Sequence, residues 1–84
     1  MPENTTETPQ RELTFGERAV GLNFNPSGNV PVQQIKEKAA DLIDCLNDYR
    51  NATEDGEIKR QLSIAITDAQ TAQMWAVKAV TWLL

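Results

Sequence analysis

Apolar and polar positions alternate along this chain with the period of helices. From Glu57 to Leu84, the residues Ile58, Leu62, Ala65, Ala69, Ala72, Ala76, Ala79 and Leu83 recur at alternating steps of four and three. That spacing keeps one seam on a single helix face and has the form of a coiled-coil-like partner surface. The opposite face carries Ile64, Thr71, Trp75, Lys78 and Trp82, so both sides of one helix call for burial. Upstream, Val32, Ile35, Ala39, Leu42, Ile43, Leu46 and Tyr49 follow at three- and four-residue steps, which predicts an earlier helix with one apolar face.

Punctuation sets the boundaries. Phe24-Asn25-Pro26-Ser27-Gly28-Asn29 is a loop by composition, with Asn29 placed to cap the first long helix and Pro31 tolerated in its first turn. That helix is expected to end near Arg50. The polar connector from Asn51 to Gly56 then joins two amphipathic helices as antiparallel neighbours, with Thr53 or Asp55 capping the second. The predicted lengths are about 20 and 28 residues, or roughly 30 and 42 Å, so the second helix is expected to outreach the first. Its unmatched end would hold Met74, Trp75, Val77, Val80, Trp82, Leu83 and Leu84, an apolar patch of the kind that marks an interface. Between Leu13 and Leu22, apolar residues interrupted by Gly16 and Gly21 predict a docking arm or short turn rather than a helix. Residues 1–12 are rich in Thr, Glu, Pro and Asn and predict a disordered tail. The expectation is one all-α domain over residues 13–84: an antiparallel helical hairpin with a short N-terminal arm, assembled into a homo-oligomer.

Size supports assembly. At 84 residues a single core gives marginal stability, and disulfides, a structural metal or oligomerisation are the usual remedies. One cysteine, Cys45, excludes an intrachain disulfide, and without histidine a zinc site would lack its usual ligands. Within the first helix, Cys45 reads as a small helix residue rather than a reactive thiol. The net charge of −4 argues against long nucleic acid as a partner. No run is long enough to span a bilayer and no leader is visible, which predicts a soluble, intracellular protein.

Nothing predicts an enzyme. The commonest general base is absent, as are a phosphate-binding Gly-rich loop and a nucleophile elbow. Asp41, Asp44 and Asp48 lie at helical spacing and are expected on a solvated face rather than around a metal. Three features stand out instead. Phe24 precedes a helix N-terminus, where its ring could stack on a base beside backbone N–H groups suited to phosphate, or could serve as a hydrophobic staple. Lys36 lies early in that helix, either as a ligand contact or as a surface lysine. Thr67, Gln70, Thr71, Lys78 and Thr81 form a polar track beside two tryptophans, suited to an anionic ligand at an oligomer axis or to interface filling.

At these residues a resemblance appears. Arg18-Ala19-Val20-Gly21, Phe24-Asn25-Pro26-Ser27-Gly28, Val32-x-x-Ile35-Lys36 and the run Gln70-Thr71-Ala72-Gln73-Met74-Trp75-Ala76-Val77-Lys78-Ala79-Val80-Thr81 together resemble the small helical-hairpin phage proteins that sequester immune signalling nucleotides, the anti-CBASS and anti-Thoeris sponges. The resemblance covers about residues 14 to 82. It implies a hexamer that binds cyclic dinucleotides or cyclic ADP-ribose isomers between protomers without cleaving them, in the cytoplasm of an infected bacterium and with no cofactor. Some members add a cyclic trinucleotide pocket near the three-fold axes. Phe24 and Lys36 match the family's stacking aromatic, often a tyrosine, and its ligand-contacting lysine. Asn25, Pro26 and Ser27 share the loop with Phe24. Where better-known members hold phosphates with an arginine, this chain has Ile66, which leaves Arg18 or Lys78 to supply that charge. The competing expectation is a helical adaptor whose apolar second helix binds a partner protein.

Overall fold

The computed structural model describes residues 11–25 and 28–84, so residues 1–10 of the expected 1–12 tail, together with Pro26 and Ser27, lie outside the described residues. Among the described residues the chain is all-helical: α1 spans Phe15–Val20, α2 Val30–Ala52 and α3 Gly56–Val80. The antiparallel α2–α3 hairpin is present, and α1 packs across it, mainly against α2.

The first difference from the sequence expectation is α1, a helix where a docking arm or turn was expected. Local chemistry explains it. The Thr14 side chain accepts from the Glu17 N–H, while the Glu17 carboxylate accepts from the Thr14 N–H, a complete capping box. Arg11 holds the same carboxylate with a two-pronged pair at 2.7 and 2.6 Å. Gly21, at φ 64°, ends the helix in the left-handed region. Its N–H donates to the Arg18 carbonyl and the Leu22 N–H to that of Glu17, a Schellman closure with Leu22 turned into the core.

Gly16 brings α1 against α2. A Cβ at this position would clash with the Ala40 carbonyl oxygen and come within 2.9 Å of the Asp44 Cγ. The Gly16 N–H donates to the Asp44 carboxylate at 2.7 Å. Asp44 was expected on the solvated face of this helix; it is half-buried and caps α1 instead.

The core gathers Val20, Leu22, Ala40, Ile43 and Ile66, flanked by Leu13, Ala19, Ala39, Leu46 and Ala69. Ile43 is fully buried. Arg50 ties the three helices: it donates to Ser63 at 2.9 Å and to Asn47 at 2.8 Å, and lies 5.5 Å from the centre of the Phe15 ring.

Asn29 caps α2 as expected, with Pro31 in its first turn, and Asp55 rather than Thr53 caps α3. The buried face of α2 is rotated from the predicted stripe. Val32 and Ile43 are buried, but so are Lys36 and Ala40, whereas Leu42 and Tyr49 are exposed. Ile35, Leu42 and Tyr49 are seven residues apart, and on a straight helix such a row drifts about 20° per step away from the core. The helices also differ from the predicted lengths, at 23 residues for α2 and 25 for α3. Of the expected apolar patch, Met74, Trp75 and Val80 lie on α3 and Trp82, Leu83 and Leu84 lie beyond its end, all of them exposed. On α3 the face toward α2 centres on Ile66 and Gln73, leaving Ala72, Ala79 and Leu83 of the seam exposed in a single chain. Cys45 is an exposed free thiol. No helix among the described residues is long and apolar enough to cross a membrane.

Candidate ligand-binding loop

The segment from Gly21 to Asn29 leaves the Schellman closure of α1 and enters α2. Two side chains shape it. Asn25 donates its amide to the Asn29 carbonyl at 2.9 Å and accepts from the Asn29 N–H at 3.1 Å. Asn29 then turns its own side chain to the Val32 N–H at 3.0 Å. Gly28, at φ 64°, closes the turn with its N–H on the Asn25 carbonyl. Each of these asparagines satisfies backbone groups that a short, irregular segment would leave unpaired.

Lys36 fixes the other half. Its side chain lies along α2 beneath the loop and the residue is only 5 % exposed. The ammonium donates to the Gly21 carbonyl at 2.9 Å and to the Phe24 carbonyl at 2.7 Å. It lies 5.4 Å from the centre of the Phe24 ring, within cation–π range. Burial pushes this ammonium below the ordinary lysine value, because the charged form gives up water. Phe24 itself is 75 % exposed. The hydrophobic-staple alternative does not describe this ring, which stands in solvent on a loop that is tied down beneath it.

The remaining sequence-derived residues fall into separate places. Arg18 is exposed on α1. Gln70 is not on the polar track: its amide donates to the Ala19 carbonyl at 3.3 Å, docking α3 on α1. Thr67 and Thr71 are exposed on α3, where the Thr71 hydroxyl donates back to the Thr67 carbonyl. Lys78 lies between two indoles, 5.1 Å from Trp75 and 5.9 Å from Trp82. Two open hollows adjoin it, one of about 480 Å³ along Trp75, Lys78, Ala79 and Trp82, the other of about 330 Å³ along Thr71, Met74, Trp75 and Lys78. Within one chain, then, Phe24, Asn25 and Lys36 come together, and Thr67, Thr71 and Lys78 share a different, outward face. Pro26 and Ser27 lie outside the described residues. Ile66 is a buried core residue.

Two further polar residues have unexpected surroundings. Gln33 takes a weak 3.4 Å bond from the Asn25 amide. Gln73 is 7 % exposed on the α2-facing side of α3. A polar residue amid apolar spacing was the available signal for Gln73; nothing in the sequence marked Gln33. Among the described residues no cluster of carboxylates and thiol could hold a metal ion.

The hairpin, the cross-packed short helix and the aromatic carried on a pinned pre-helical loop define a small helical domain built around an exposed loop. A family model for the Acb2/Tad1 hairpin domain matches residues 17–81. The chain belongs to that family, the phage anti-CBASS and anti-Thoeris cyclic-nucleotide sponges. No curated protein and no solved structure matches the chain.

Proposed function

We propose that this protein sequesters cyclic oligonucleotide or cyclic ADP-ribose-type second messengers, without cleaving them, in the cytoplasm of an infected bacterium. The functional unit is a homo-oligomer, a hexamer by family precedent, in which neighbouring copies enclose the ligand. Family membership is the first support. The observation that carries the reading to this chain is the Phe24 ring, exposed while its own carbonyl is held by Lys36 and the neighbouring Asn25 is bonded to Asn29. A ring so placed stacks on a nucleobase with little loss of loop entropy on binding.

Stacking contributes about 1–3 kcal/mol per base, and a charge-assisted bond to phosphate about 1.5–3 kcal/mol. Two symmetry-related loops on one ligand contribute about 5–12 kcal/mol gross, of the same order as the roughly 8 kcal/mol that micromolar affinity requires once the cost of association is met. The exposed Thr71 and Lys78 are the candidates for a trinucleotide pocket, with Arg18 as a further cation. Because Ile66 is core, the cyclic dinucleotide class is the primary expectation.

The adaptor reading has one observation in its favour, the exposure of Met74 and Trp75 on α3 and of Trp82 just beyond it. Calorimetry with a panel of cyclic dinucleotides, cyclic trinucleotides and cyclic ADP-ribose isomers separates the two. A sponge gives saturable heat with at least one ligand, which chromatography then recovers intact. No heat across the panel leaves the adaptor, and a chemically altered ligand would show catalysis.

A further inference from the structure

Lys36 is a cation placed where a cation is expensive, and its partners show what it does. The residue is 5 % exposed, and among the described residues no carboxylate pairs with it. Its two hydrogen bonds go to main-chain carbonyls, those of Gly21 and Phe24. The Gly21 carbonyl is also the acceptor for the Phe24 N–H at 2.9 Å, so one oxygen closes the turn and receives the ammonium. A lysine devoted to ligand would be expected to hold its head in solvent on its flexible stem. This one is spent on the loop.

We propose that Lys36 is a positioning residue, an internal latch that stitches α2 to both ends of the Gly21–Phe24 turn and thereby aims the Phe24 ring. The ammonium lies on the ring as well as on the carbonyls, so it backs the aromatic and leaves the rest of that exposed ring for a partner. The consequence for binding rests on the proposed function, in which Phe24 stacks on a nucleobase; the latch itself is a property of the free protein. Lys36 then strengthens binding chiefly through Phe24 and not as a separate point of attachment.

The first test needs no ligand. Lys36→Met keeps the buried aliphatic stem and removes the ammonium. Hydrogen exchange by NMR on the intact chain is expected to show the Phe24 amide opening about tenfold more often in this variant, with protection of Ile43 and Ile66 retained. Unchanged exchange at Phe24 would overturn the latch. Should Lys36→Met fail to fold, the wild-type ammonium gives the same information. Its ¹⁵N signal is expected to persist through slow exchange, with couplings across hydrogen bonds to the Gly21 and Phe24 carbonyl carbons, and a freely exchanging ammonium would refute the proposal. The second test uses whichever cyclic nucleotide the panel identifies. If Lys36 acts through Phe24, Lys36→Met weakens binding in the wild-type background and changes it less than about twofold in the Phe24→Ala background. Fully additive losses would show a direct ligand contact in place of the latch. A wild-type protein that binds no cyclic nucleotide would end the functional reading while leaving the exchange result to decide the latch.

Discussion

Gly16 meets the carbonyl of Ala40 with no room for a side chain between them. This contact docks α1, and with it the start of the loop, onto α2. Gly16→Ala must move backbone, since the obstructing atoms are a main-chain carbonyl, and it also disturbs the N–H bond to Asp44. We expect a loss of about 2–3 kcal/mol, from overpacking and the weakened buried bond. Urea denaturation checks this; a change below about 0.5 kcal/mol, the range of neutral surface substitutions, would contradict the close approach.

Glu17 carries the acid response of α1. The Arg11 guanidinium first, and then the Thr14 N–H, lower its carboxyl from 4.5 to about 2. Because the folded value lies below the unfolded one, its contribution is complete above about pH 4.5 and is lost as pH falls toward 2. Arg11 and Thr14 should therefore loosen from α1 through that window, while Glu17→Gln should show the loosened state at neutral pH. Chemical shifts of the Thr14 and Glu17 amides report both, and a Glu17 titration centred near 4.5 would contradict the assignment.

Asp55 accepts from the N–H groups of Glu57 and Ile58 at 2.9 and 3.0 Å. Asp55→Ala is expected to destabilise α3 by about 1 kcal/mol, the usual cost of losing such a cap. Asp55→Asn should restore most of it. Equal stability of Asp55→Ala and wild type in thermal melts would show that Thr53 takes over the cap.

Phe24→Ala should separate binding from folding. The ring is largely in solvent and Lys36 is bonded to the backbone beneath it, so the melting temperature should move little. Affinity for the cyclic nucleotide should fall by about 1–3 kcal/mol per stacked base. Unchanged affinity in calorimetry would remove Phe24 from the site.

Ala72 offers a test of the partner seam free of intrachain effects. It is exposed in the single chain, so any influence on assembly must act between copies. Ala72→Glu is expected to preserve helix content by circular dichroism and to reduce the oligomer mass in light scattering. An unaltered mass would exclude this seam as the assembly surface.

The hairpin was legible because Asn29, Pro31 and Asp55 are local signals that act through their neighbours. The outward face of α3 was also legible, with Ile64 and Trp75 exposed on the helix and Trp82 just past its end. The short α1 was not, because Gly16 and Gly21 look like helix breakers in one dimension. In space, one is a contact point and the other a terminator. The burial of Lys36 was equally hidden, since its partners are carbonyls, which every sequence supplies at every position. The place of Phe24 ahead of a helix N-terminus is legible in the sequence; that its ring stands clear of the core is a matter of the loop's path. The rotated face of α2 follows from α1 competing for the helix surface that a two-helix reading assigns to α3 alone.

Gly21 links two outcomes that a sequence comparison would treat as independent. By adopting its left-handed turn it stops one helix, and its oxygen then receives the lysine from the next. The aim of the aromatic is in this sense shared between helix termination and the next helix: the glycine's turn supplies the acceptor and Lys36 the donor. A substitution at this glycine should consequently reach two elements at once, releasing the end of α1 and the anchorage of the lysine on α2.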